Sequence, residues 1–182
     1  MEKQITYYLT LSQTFPATHP RKGEPTYFKE KLHNSLLWNK GMNVGYALNP
    51  SYAVPQDQPQ MKLHTIRANY PLWKKRFEQI LRGEAVLSIR QWSGKPYASK
   101  QIEIARLTTD DGIGIQKLEF KELPHFAEEK RVYELYIDGE IVCKIMPLAT
   151  NDGLSYEDWI AWFEKYDKSK PLAIIHFTSF RY

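Results

Sequence analysis

Cysteine is nearly absent: Cys143 is the only one among 182 residues. A single thiol makes no internal disulfide and no cysteine-based zinc site, so nothing calls for an oxidising compartment and a cytoplasmic location is expected. In Ile141-Val142-Cys143-Lys144-Ile145, alternation puts Cys143 on the same side as two isoleucines, which predicts a buried, inert thiol. Also missing is any run approaching the ~20 apolar residues of a membrane-spanning helix. The opening Met1-Glu2-Lys3-Gln4 carries no apolar signal-peptide core. No membrane partner is expected.

The five histidines, His19, His33, His64, His125 and His176, never fall at the short helical spacing that metal sites favour, so no metal is expected. There is no phosphate-cradling glycine loop, no Gly-x-Ser-x-Gly elbow and no cysteine in a basic setting, which speaks against hydride transfer, ATP hydrolysis and serine-hydrolase chemistry. No cofactor is expected. Charge of one sign is scarce as well. The 25 basic and 21 acidic residues leave +4, which permits a phosphate-bearing partner without requiring one. Aromatic residues are plentiful at 14%, and beside arginine they suit the stacking of bases, although most of them must fill the core.

With 42% hydrophobic residues the chain can bury one sizeable core, so one domain over 1–182 is expected. Thr6 to Leu11 reads as a strand. Phe15 to Pro25, interrupted by prolines and glycine, reads as a loop carrying His19, Arg21 and Lys22. Phe28, Leu32, Ser35, Leu36 and Leu37 recur at helical spacing and predict a helix over Tyr27 to Asn39. Met42 to Gln60, with three prolines, is a long loop that leads into an extended segment, Lys62 to Arg67. Asn69, Tyr70 and Pro71 open a second helix, which Gly83 ends.

The second half alternates like a sheet. Strands are predicted at Ala85 to Trp92, Gln101 to Leu107, Gly114 to Phe120, Arg131 to Ile137 and Glu140 to Met146, with Asp138-Gly139 as a two-residue hairpin turn. Ser155 and Asp158 form a capping-box pattern before a third helix, Tyr156 to Tyr166, and Pro171 admits a last strand, Leu172 to Phe180. Six or seven strands with three singly placed helices lack the regular alternation of a parallel sheet. The expected class is α+β, a small curved sheet or barrel with flanking helices.

Three segments carry candidate chemistry. In Lys62 to Arg67, strict alternation sets Lys62 and His64 on one face and Thr65 and Arg67 on the other; a strand end, bulge or turn would relax that split. Solvated charges on a half-exposed strand are the plain alternative. In Arg90-Gln91-Trp92-Ser93-Gly94-Lys95-Pro96-Tyr97, a hairpin tip joins two cations and two aromatics, suited to phosphates and bases, or Trp92 simply plugs the end of the barrel. In Asn151-Asp152-Gly153-Leu154, Ser155 already supplies the helix cap and Asp152 is spare. It can fix a basic side chain such as Lys62, meet a ligand, shuttle a proton, or form a surface turn.

Lys62-Leu63-His64-Thr65-Ile66-Arg67 resembles the signature of the ASCH family, a lysine followed five positions later by an arginine. A short helix, Gly83-Glu84 before the strand Ala85 to Arg90, Asp152-Gly153-Leu154 before a helix, and the closing strand Ala173 to Phe180 follow in the family's order. The resemblance runs from Gln60 to the C-terminus, leaving 1–59 as an N-terminal extension packed on the core. Gln60 stands where the family has glycine, and Asp152 where it has glutamate, so the shorter carboxylate has to sit closer to what it contacts.

The resemblance implies a PUA-like fold and a basic cleft that binds RNA, a nucleotide or a nucleoside, with Lys62, His64, Arg67, Arg90, Trp92 and Tyr97 as ligand-binding residues. Some small members of the family are amidohydrolases of acetylated cytidine. That activity would make Thr65 the nucleophile, Lys62 the group that lowers its proton affinity, and Asp152 the handler of the leaving amine's proton. The sequence assigns no oligomeric state.

Overall fold

Three helices arise largely as their residue patterns dictate, and a fourth arises where a strand is expected. In the computed structural model, which describes residues 4–42, 54–123 and 133–182, α1 spans Phe28–Asn39, α2 Tyr70–Leu81, α3 Ile145–Asn151 and α4 Tyr156–Phe163. The Asn69 side chain caps α2 by accepting from the Leu72 amide at 3.2 Å, and Pro71 sits in the first turn, where its missing N–H costs nothing. Ser155 caps α4 by accepting from the Asp158 amide at 3.1 Å. The return half of the capping box is absent, because the Asp158 carboxylate instead accepts from Arg21 Nη1 at 2.7 Å.

Among the described residues the strands are β1 Ile5–Thr10, β2 His64–Arg67, β3 Ala85–Trp92, β4 Gln101–Leu107, β5 Gly114–Glu122, β6 Tyr133–Ile137, β7 Glu140–Ile141 and β8 Leu172–His176. They form a three-stranded sheet, β1-β3-β4, and a five-stranded sheet, β2-β8-β5-β6-β7. The protein is therefore α+β; among the described residues there are eight strands and four α-helices rather than six or seven and three, and neither sheet closes into a barrel. Residues ahead of 60 are woven into it: β1 runs parallel beside β3, with Ile5 opposite Ala85 and Thr10 opposite Arg90. At β3–β4 the register shifts between Ile89 and Arg90, so that Ile104 is the extra residue.

All five residues of β8 are buried, and Leu172, Ile174, Ile175, Trp73, Phe77, Leu87 and Trp159 belong to one continuous core. Among the described residues no helix is long and apolar enough to cross a membrane.

The expected strand Glu140 to Met146 fails after Ile141. Asp138 and Gly139 both take positive φ, 50° and 94°, so the two-residue turn forms as read. Past Val142 the chain leaves the sheet and enters α3, whose first turn holds Pro147, a residue that cannot donate in a ladder. Alternation stops there, and Cys143 is exposed rather than buried. The last strand also ends early, at His176. His125, the expected strand residues Arg131 and Val132, and 43–53 of the expected loop lie outside the described residues.

Candidate functional site

A cavity of about 530 Å³ opens between the edge of the smaller sheet, the N-terminus of α1 and the strand β2. Lys62, Thr65, Arg67, Trp92, Tyr97 and Asp152 all line it. The split expected of a strict strand is relaxed because β2 begins only at His64. Ahead of it, the Lys62 amide donates to Ser35 Oγ at 2.8 Å and to the Lys31 carbonyl at 3.1 Å, both on α1. The Leu63 amide then donates to the Asn151 carbonyl at 2.8 Å. Gripped on both sides, the chain turns Lys62 toward the cavity that Thr65 and Arg67 reach from the strand.

At its closed end Lys62 Nζ donates to Asp152 Oδ1 at 2.5 Å and to the Asp152 carbonyl at 2.5 Å. The ammonium also lies 4.0 Å from the centroid of the Phe28 ring, whose negative face favours a cation. Asp152 is placed by the end of α3: its amide donates back to Leu148 and Ala149, and Gly153 follows at φ +80°, a conformation that suits glycine at a helix end. The aspartate is thus not a surface turn residue. Burial pushes the Lys62 amine down and the Asp152 acid up from their ordinary pKa values, each toward its neutral form, while their mutual attraction works against both shifts.

Arg67 is half-buried, donates from Nη2 to the Thr10 carbonyl at 2.6 Å, and has its pKa lowered by burial. Thr65 is buried, and among the described residues its hydroxyl has no hydrogen-bond partner. At the rim, Trp92 and Tyr97 pack at 5.3 Å between ring centroids. Tyr97 holds φ +62° and is 91% exposed, and a non-glycine residue in that region marks local strain.

Two expected ligand contacts lie elsewhere. His64 Nε2 meets the Tyr182 hydroxyl at 2.7 Å, its ring sits 5.6 Å from that of His176, and it is fully buried away from the cavity lining. Arg90 lays its guanidinium over the Tyr8 ring at 4.1 Å and donates to Ser88 Oγ at 3.1 Å, also away from the cavity. His64 is turned away by alternation, pointing opposite to Thr65, whereas Arg90 is drawn off by its contacts with Tyr8 and Ser88.

Sequence reading missed Lys31. It lies on α1, is 1% exposed, and donates from Nζ to the Gly153 carbonyl at 2.9 Å and to Gln58 Oε1 at 3.1 Å. A signal was present, since Lys31 falls three residues after Phe28 and four before Ser35, on the helix's buried face. It also lines a second, smaller cavity of about 110 Å³ with Arg21, Asp57, Gln58, Gly153 and Asp158. Among the described residues no group of three or more His, Cys, Asp or Glu side chains is arranged to hold a metal ion.

No protein-family model matches this chain, and no curated protein or solved structure shows significant similarity to it.

Proposed function

We propose that the large cavity binds a nucleotide or a nucleotide of an RNA, in a protein of the ASCH type with a PUA-like fold. The observation that carries this reading is the meeting of Lys62, Arg67, Trp92 and Tyr97 on one cavity of about 530 Å³. That size falls within the ~300–1,000 Å³ typical of small-molecule sites. Arg67, with no carboxylate at ion-pair distance among the described residues, attracts phosphate, while Lys62 is balanced by Asp152; aromatic faces at the rim accept a base by stacking, worth about 1–3 kcal/mol per base. The motif order from Lys62 to Phe180 supports the family reading.

A second reading, hydrolysis of an N-acylated cytidine-type nucleoside, is favoured by one specific feature. Thr65 shares the cavity with an amine and an acid that burial drives toward their neutral forms. In this scheme the Thr65 hydroxyl, without a hydrogen-bond partner among the described residues, closes on a neutral Lys62, which accepts its proton as Thr65 Oγ1 bonds to the acyl carbon. The C–N bond then breaks, the leaving amine takes a proton from the lysine–aspartate pair, and water releases the acid.

Titration of the purified chain with cytidine 5′-monophosphate and a short RNA, at two salt concentrations, tests the first reading. Arg67→Ala weakens binding and its salt dependence while Thr65→Val leaves both nearly unchanged. Parent-like affinity in Arg67→Ala and Lys62→Ala removes this cavity as the site. Incubation with acetylated cytidine tests the second: Thr65→Val abolishes cytidine release, and undiminished release excludes Thr65 as nucleophile.

A further inference from the structure

Lys31 touches Lys62 and the residue that follows Asp152, without belonging to the cavity that the pair serves. Its carbonyl accepts from the Lys62 amide at 3.1 Å and from Ser35 Oγ at 3.0 Å, and that same Ser35 Oγ accepts from the Lys62 amide at 2.8 Å. On the other side, Lys31 Nζ holds the carbonyl of Gly153, the residue directly after Asp152, at 2.9 Å. The contact is close, for a Cβ on Gly153 would stand 3.3 Å from Lys31 Cδ, Lys62 Cβ and the Met61 carbonyl oxygen. Both ammonium groups share the Phe28 ring, Lys62 at 4.0 Å and Lys31 at 5.9 Å from its centroid.

Lys31 has no direct ion pair among the described residues. Its acceptors, Gln58 Oε1 and the Gly153 carbonyl, are neutral, and among the described residues no carboxylate lies within ion-pair distance. Lys62 and Arg21 face it with like charge, Asp158 of α4 and Glu30 of its own helix with opposite charge, and Asp57 lines the smaller cavity beside it. Burial first, and then Lys62 and Arg21, bring its pKa down to about 7. Lys62 itself answers first to burial, then to Asp152 with opposite charge and Arg67 with like charge; the ammonium of Lys31, beside the same Phe28 ring, adds a further like charge, and such repulsion is mutual.

We infer that Lys31 is a positioning residue for the Lys62–Asp152 pair, holding from α1 the Lys62 amide and the carbonyl that follows Asp152, and setting through its own charge how readily Lys62 gives up a proton. This rests on the reading of that pair as the working end of the large cavity. A charged Lys31 favours neutral Lys62, and a neutral Lys31 lets Lys62 keep its proton. Because Lys31 opens onto the smaller cavity and Lys62 onto the larger, the pair is tuned from behind, by a group that no ligand in the larger cavity covers.

The test needs no ligand. The lysines are labelled with ¹³C at Cε, the Lys62 signal is assigned by its loss in Lys62→Met, and its titration is followed by NMR in the parent chain, Lys31→Met and Lys31→Arg. Lys31→Met should raise the proton affinity of Lys62 about three- to tenfold, half to one pKa unit. Lys31→Arg, with a permanent charge, should keep it at or below the parent value and abolish any inflection near neutral pH. An unchanged Lys62 midpoint in a folded Lys31→Met overturns the inference. If Lys31→Met does not fold, Lys31→Arg decides alone: a midpoint above the parent's overturns it too. Failure to bind any nucleotide would defeat the proposed function and leave this titration standing.

Discussion

At the closed end of the large cavity Lys62 and Asp152 are 1% and 3% exposed and bonded to each other, whereas at its rim Tyr97 is 91% exposed and packs its ring on Trp92. The closed end is held by elements far apart in sequence: α1 supplies Lys31 and Ser35, and α3 ends on Asp152. The rim belongs to one hairpin between β3 and β4, closed locally by the Ser93 amide on the Lys100 carbonyl at 2.8 Å. Substitutions at the closed end therefore disturb fold and function together, and substitutions at the rim separate them.

The largest effect is expected where one partner of the pair is removed. Lys62→Met or Asp152→Leu alone leaves a buried charge without its counterion and costs about 3–5 kcal/mol. The double variant Lys62→Met/Asp152→Leu recovers most of that loss, since apolar replacement of a buried pair is often neutral. Urea denaturation of the three proteins checks this; a double variant no more stable than the singles contradicts it.

Gly153→Ala comes next. The residue holds φ +80° and an added Cβ meets three atoms at 3.3 Å. Left-handed backbone alone costs a non-glycine residue roughly 1–2 kcal/mol, and the displaced Lys31 and Lys62 add to it. The expected outcome is a destabilisation of that size in thermal denaturation, and parent-like stability would mean that the two lysines yield freely.

Acid sensitivity is the third. His176 is buried with neither ring nitrogen bonded, and burial lowers its pKa from 6.5 to about 3; His64, facing it, is also lowered, by burial first and then by His176. For a base whose pKa falls on folding, the unfolded chain binds the extra proton. Stability is fully present above pH 6.5 and declines as pH falls toward about 3. Each histidine contributes about 1.4 kcal/mol per pH unit within its window. Equilibrium unfolding against pH should show this slope reduced in His176→Gln, and an unaltered slope would deny the histidine that role.

The smallest effect on stability belongs to the rim. Tyr97→Gly removes an exposed ring and relieves a φ of +62°, so stability should stay within about 0.5 kcal/mol of the parent. Nucleotide affinity should nevertheless fall by the stacking contribution, roughly tenfold. Parent-like affinity in this variant would remove Tyr97 from the ligand's surroundings.

Legibility in the sequence followed the range of the forces involved. β3 and β4 are found over the residues that the alternation marked, Ala85–Trp92 and Gln101–Leu107, and α1 starts one residue later than its pattern indicates, because these signals are local. α3 escaped because Ile145 to Asn151 is short and its alternation imitates a strand up to Pro147. The division of the strands into two open sheets depends on pairings such as β1 with β3, some 80 residues apart, which no local pattern encodes. At the site, Lys62, Thr65 and Arg67 stood out as residues but their convergence did not. It depends on Ser35 and Lys31 of α1 turning the chain just ahead of β2, a contact made by a hydroxyl and a carbonyl that periodicity treats as filler.

The most direct test of the central claim measures stability and ligand binding on Lys62→Met/Asp152→Leu together, by thermal denaturation and by calorimetric titration with cytidine 5′-monophosphate and a short RNA. The account predicts a folded protein that has lost at least about tenfold in affinity, a change of roughly 1.4 kcal/mol or more. A folded double variant that binds as the parent does would make the buried pair a structural feature alone and move the site elsewhere.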